Sequence, residues 1–183
     1  VRQFCSRFCL RLVSLTIATG LLNTVATPVL QATSVSANTL DLSRRRTVNE
    51  LIEHSEHLAL RGEIPAALAM LEEADALNSL WGVSATSWNI VCWYGSLWGY
   101  AQDVIQACDR AVNLEPGNIE ILDSRGLARS LTGDIDGAID DFSTFIRETN
   151  DENRRYQRQN WVQMLQIGEN PFTEETLQLL FID

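Results

Sequence analysis

The chain has no lysine; its fourteen basic residues are all arginine. That excludes chemistry that depends on a lysine amine, such as a Schiff base or the phosphate-binding lysine of a Walker loop. Histidine is almost as scarce, with only His54 and His57. Acidic residues outnumber basic ones 24 to 14, giving a formal net charge of −10 and a pI near 4.6. The basic footprint that nucleic-acid phosphates require is therefore missing. The sequence has neither H-E-x-x-H nor C-x-x-C, and no nucleophile–base pair stands out. Its longest apolar run, from Leu12 to about Val25, is interrupted by Ser14, Thr16, Thr19, Gly20 and Asn23, a poor pattern for a spanning helix.

What is present suits one helical domain with an N-terminal extension. The 183 residues are 45% hydrophobic, enough for a real core. Arg2, Arg7 and Arg11 precede the apolar run, no acid occurs before Asp41, and small residues follow. This order predicts a secretory signal over residues 1–37, cleaved after Ala37 or, as a second choice, Ala32. Residues 38–46 would then form a linker. Cleavage removes three arginines and carries the charge from −10 to −13. The alternative is an uncleaved membrane anchor over residues 12–30. Export to the periplasm or the exterior is the expected location.

From Thr47 the pattern is helical and repetitive. Gly62, Gly99 and Gly133 each close one amphipathic stretch, and another begins within a few residues. Before the glycines come Leu51, Ser55 and Leu58, then Trp88, Cys92 and Gly95, then Leu122, Gly126 and Arg129. After them come Ala67, Leu71 and Ala74, then Val104, Cys108 and Ala111, then Ala138, Phe142 and Phe145. Each set falls on one helical stripe. Thr47 with Glu50 reads as a capping box that opens the first helix. Pro65 suits a first helical turn, and "EPGN" at 115–118 breaks the chain between the second and third hairpins.

A helix–turn–helix unit of 34 residues resembles the tetratricopeptide repeat. Trp88, Cys92, Gly99, Ala111 and Pro116 fall at that family's positions in the second unit, as do Gly126, Gly133, Ala138 and Phe142 in the third. The first unit is weaker, with Gly62, Ala67 and Ala74 in register and Ser79 in place of the proline. "CWYGSLWGYAQDVIQACDRAV" and "DSRGLARSLTGDIDGAIDDF" look most like uncharacterised exported repeat proteins of cyanobacteria and related bacteria. The resemblance implies an all-α fold, a right-handed superhelical stack of three hairpins over 48–81, 85–118 and 119–152. Residues 153–183 read as a C-terminal cap. There Tyr156, Trp161, Val162 and Leu165 can share a face, Gly168 and Pro171 end the helix, and Thr173 caps a short last one.

The resemblance also implies a concave groove. Carried over position by position, it would be lined by Ile52, Glu56, Asn89, Trp93, Ser96, Asp123, Leu127 and Ser130. That lining is mixed and slightly acidic, and it lacks the basic clamp some members use for a partner's terminal carboxylate. An extended or helical protein segment with apolar and basic side chains fits it better. Trp88 points to the core, Trp93 to the groove, and Trp98 covers the end of its helix.

Cys92 lies seven residues before Gly99 and Cys108 nine after it, so an antiparallel hairpin brings both inward at one level. They are either two buried thiols or, in an exported protein, a disulfide. His54 and His57, three apart beside Glu50 and Glu53, read as structural, with His54 facing inward. Arg125 and Arg129 replace residues that are usually leucine and tyrosine in this repeat. They read as partners of Asp123, Asp140 or Asp141 rather than as an anion site. The expected function is a non-catalytic interaction scaffold with no metal, no cofactor and no nucleic acid, touching a membrane only through an uncleaved N-terminal segment. One alternative is a small binding or redox protein using Trp93 with Cys92 and Cys108. A disfavoured third is a metal-dependent enzyme at His54 and His57.

Overall fold

A computed structural model describes the backbone of residues 27–77 and 82–182 and the side chains from Thr39 onward. The described residues form eight α-helices and no strand: α1 Thr27–Leu60, α2 Ile64–Leu77, α3 Ala85–Leu97, α4 Ala101–Leu114, α5 Ile119–Thr132, α6 Ile135–Glu148, α7 Glu152–Gln166 and α8 Glu174–Leu179. Two compact units divide the chain, Val1–Asn38 and Thr39–Asp183. The expected signal falls largely outside the described residues, as does Ser79. Among the described residues, no helix is long and apolar enough to cross a membrane.

The expected linker over 38–46 is instead helical, within α1. Neither glycine nor proline occurs between Pro28 and Gly62, and pairs four residues apart run along the surface, Arg45 with Asp41 and Arg46 with Glu50. Thr47 consequently caps nothing: it sits inside α1, and its hydroxyl donates to the Ser43 carbonyl at 3.2 Å.

The hairpin turns follow from backbone chemistry. Gly62, Gly99 and Gly133 have φ of 79°, 85° and 90°, the left-handed region in which a side chain is strained. Helix starts of the last two hairpins share one interval: α3 to α5 is 119 − 85 = 34 residues, and α4 to α6 is 135 − 101 = 34, while α2 to α4 is 101 − 64 = 37. Ser84, Asn118 and Asp134 cap α3, α5 and α6 by accepting from backbone N–H groups of the first turn. Helix α3 packs on α4 and α5 on α6, while α2 with α3, α3 and α4 with α5, and α6 with α7 join the hairpins. Helices α1 and α2 are linked by the buried Ser55 hydroxyl, which donates to the Ala67 carbonyl at 2.8 Å.

Small residues let the hairpin helices approach. A Cβ on Gly126 would sit 2.8 Å from the Phe142 ring, and one on Gly95 would strike Val104. Cys92 and Cys108 are fully buried and joined by a disulfide, with Cα atoms 4.9 Å apart. One core, built around Ala67, Leu71, Trp88, Val91, Val104 and Ala111, spans α1 to α5. A second gathers Leu97, Leu127, Phe142, Trp161, Leu165, Phe172 and Leu180, and so binds the end of the chain to the last two hairpins.

Candidate binding face

Alternate helices supply the walls of a cavity of ≈ 290 Å³. Helix α3 gives Asn89, Trp93 and Tyr94; α5 gives Glu120, Asp123 and Ser124; α7 gives Arg154 and Arg158. Leu180 and Phe181, just past α8, close one side.

The polar wall is already paired. Arg158 is fully buried and grips Asp123 through Nε at 3.0 Å and Nη2 at 2.7 Å. Its guanidinium lies 4.4 Å from the centre of the Trp161 ring. Arg154 bonds Asp123 at 3.0 Å and Glu120 at 2.7 Å. Burial works against the Arg154 charge, but Glu120 and Asp123 outweigh it and hold the group above its ordinary pKa. The acidic groove expected from sequence is therefore electrically balanced here.

Register sets Asn89 beside a cavity. Counting one repeat of 34 back from Asp123 gives Asn89. Two arginines of α7 reach Asp123, whereas the α5 residue that lines the cavity with Asn89 is the short Ser124. Ser124 bonds its own helix instead, donating to the Glu120 carbonyl at 3.1 Å. Asn89 Oδ1 is buried and accepts no hydrogen bond among the described residues. Lining the cavity, that amide oxygen is placed to accept an N–H.

The eight groove positions divide. Asn89, Trp93 and Asp123 come together on the cavity wall. Ser96 and Leu127 are fully buried, Ser96 donating to the Cys92 carbonyl at 2.8 Å and Leu127 lying in the second core, so neither is open to a partner. Ser130 is half-buried and donates to the Gly126 carbonyl. Ile52 and Glu56, half-buried on α1, do not line this cavity. Trp88 is core, with Arg110 stacked 4.6 Å from its ring. Trp98 is half-exposed; it closes over Gly62 and meets the Phe181 ring at 4.8 Å.

The other constellations lie elsewhere. Neither sulfur of the disulfide lines the cavity that Trp93 lines, so those residues share no site. His54 is exposed rather than inward, as is His57. Arg125 forks onto Asp141 at 2.9 and 2.8 Å and reaches Asp109 at 3.3 Å. Its bond to Asp141 is the main reason its pKa lies above the ordinary value. Arg129 joins the same Asp141 at 2.9 Å, so the network forms on Asp141, not on Asp123 or Asp140. The paired arginines of α7, Tyr94 and the Leu180–Phe181 closure were missed in the sequence. Arg154, Arg158, Trp161 and Leu165 have helical spacing, whereas Tyr156, expected on that face, is exposed.

No family model matches the chain. A curated mouse protein described as FK506-binding protein-like is 44% identical over 50 residues, which is 27% of this chain and 14% of that protein. A solved structure, the TPR domain of P58(IPK), superimposes with a TM-score of 0.57 at 20% identity, over 71% of this chain and 36% of that one. The fold is that of a tetratricopeptide repeat. The chain spans a minor part of both relatives, and the likeness to the second shows the fold alone.

Proposed function

We propose that this protein is a non-catalytic scaffold that binds a segment of a partner protein on the face formed by α3, α5 and α7. The observation that carries the reading is the cavity in which Asn89, Trp93 and Tyr94 stand together, with the amide oxygen of Asn89 unpartnered. A half-buried tryptophan and tyrosine give apolar contact, and Asn89 offers an acceptor for a backbone or side-chain N–H. Because Arg154 and Arg158 already engage Glu120 and Asp123, the partner segment is chiefly apolar rather than basic. The reading includes export from a bacterial cell, for which the Cys92–Cys108 disulfide is the supporting feature, since such bonds persist in oxidising compartments.

A photo-reactive phenylalanine analogue placed at Tyr94, which lines the cavity, and in a control protein at the exposed Ile167, tests the reading in intact cells. The expected result is a discrete protein adduct from position 94 and none from position 167. Adducts of equal yield from both positions, or none from residue 94, would overturn it.

A further inference from the structure

The face read above as a binding surface already carries an occupant. After Gly168, whose φ of 78° ends α7, the Phe172 ring packs on Phe142 of α6 and Trp161 of α7, and the end of the segment, at Leu180 and Phe181, meets α3 and α5. Phe172 and Leu180 are buried, and Leu177 and Phe181 pack on the same cluster beside Trp93 and Tyr94. Phe181 sits 4.8 Å from the Trp98 ring and 6.4 Å from Tyr94. The opposite side of this short helix is wet, with Glu174, Glu175 and Gln178 exposed.

The hydrogen bonds of this segment described here are local. Thr176 N–H donates to Thr173, Phe172 N–H to Asn170, and Gln178 to Glu174. Its described hold on α3 and α5 is side-chain packing, and a helix of six residues contributes little stability of its own. An element attached by a few apolar side chains opens more readily than one locked into the helical stack. It also leaves Asn89 Oδ1 unsatisfied, so it fills the apolar part of the face and not the polar part.

We infer that residues 177–182 are a reversible internal ligand of the α3–α5 face, tethered by Phe172 to α6 and α7. The partner that displaces them carries the same chemistry: a short amphipathic helix with adjacent leucine and phenylalanine, and an N–H for Asn89. This rests on the reading of that face as a binding surface. Release of the segment bares Trp93, Tyr94, Leu97 and Trp98 together, a patch with the aromatic character of interaction sites.

The test uses the full chain and a labelled peptide of residues 169–182. In the double variant Leu180→Asp/Phe181→Asp the internal segment no longer docks, so the peptide should bind at least ten times more tightly than to the unaltered protein. A peptide carrying Phe181→Asp should not bind. Hydrogen exchange on the unaltered protein supplies a second readout independent of any variant. Amides of 176–182 should exchange at least a hundred times faster than those of α3 and α5. Equal peptide affinity for both proteins, no binding to a folded variant, or exchange of 176–182 only in step with α3 would overturn the inference. A partner crosslinked at residue 94 without peptide binding overturns the internal ligand and leaves the binding face standing. Peptide binding without such a partner does the reverse.

Discussion

The α3–α4 and α5–α6 hairpins occupy equivalent places, one repeat apart, and are held together by different chemistry. Shifting by 34 residues carries Cys92 to Gly126 and Cys108 to Phe142. A disulfide in one hairpin is thus a ring packed over a glycine in the next. The same shift carries Val91, Gly95 and Ala107 to Arg125, Arg129 and Asp141, turning an apolar contact into an ion-pair network. Asn89 becomes Asp123, which Arg158 satisfies. One backbone spacing therefore accepts covalent, aromatic or ionic closure, provided each pair of facing positions is matched. The proposed binding face lies where Asn89 has no such partner among the described residues.

Asp123→Ala breaks the ionic side of this comparison most severely. Asp123 is buried and bonded to both Arg158 and Arg154, so breaking this buried ionic cluster should cost about 3–5 kcal/mol, measurable by denaturant titration. Adding Arg158→Met should recover much of that loss. Failure of the second change to help would show that the pair does more than neutralise itself. Arg125 and Arg154 impose no alkaline limit near neutrality. A base with a raised pKa contributes fully below its ordinary value and loses that contribution only as pH rises through the folded one. The Arg125 and Arg154 contributions should therefore be flat between about pH 7 and 9.

On the covalent side, Cys92→Ala/Cys108→Ala should lower stability by about 3 kcal/mol, the loop-closure term for a bridge of this span. Reductant should destabilise the parent protein and leave the variant unchanged. Gly126→Leu comes next, at about 1–3 kcal/mol or more, because Phe142 has no room to yield. An unchanged melting temperature would mean that α5 and α6 are not in this register. Smallest is Asp109→Ala. Its carboxylate meets Arg125 at 3.3 Å while 40% exposed, so the loss should stay below about 1 kcal/mol and vanish in high salt.

Much of the fold was legible because glycine, helical stripes and the 34-residue interval are local signals. Gly62, Gly99 and Gly133 mark turns that only a left-handed residue makes cheaply. The sides of α3 were legible too: Trp88 and Trp93 are five residues apart, far enough round the helix to separate core from cavity. What escaped depends on distant partners. Nothing local says that Arg158 is buried, since arginine reads as surface until Asp123, 35 residues earlier, is placed beside it. The same holds for Phe181, which meets Trp98 only after the chain reverses past Gly168. The continuation of α1 through Arg44, Arg45 and Arg46 was hidden by reading a polar stretch as a linker, although it contains no helix breaker.

The most direct test compares Trp93→Ala with Trp88→Ala, each measured by a thermal melt and by titration with the partner recovered at residue 94. Trp88→Ala should cost about 3–5 kcal/mol of stability by leaving a core cavity. Trp93→Ala should cost less stability but weaken binding by about 2 kcal/mol, roughly thirtyfold. Full-strength binding by Trp93→Ala, or an intact melting temperature for Trp88→Ala, would contradict the division of α3 into a structural and a working side.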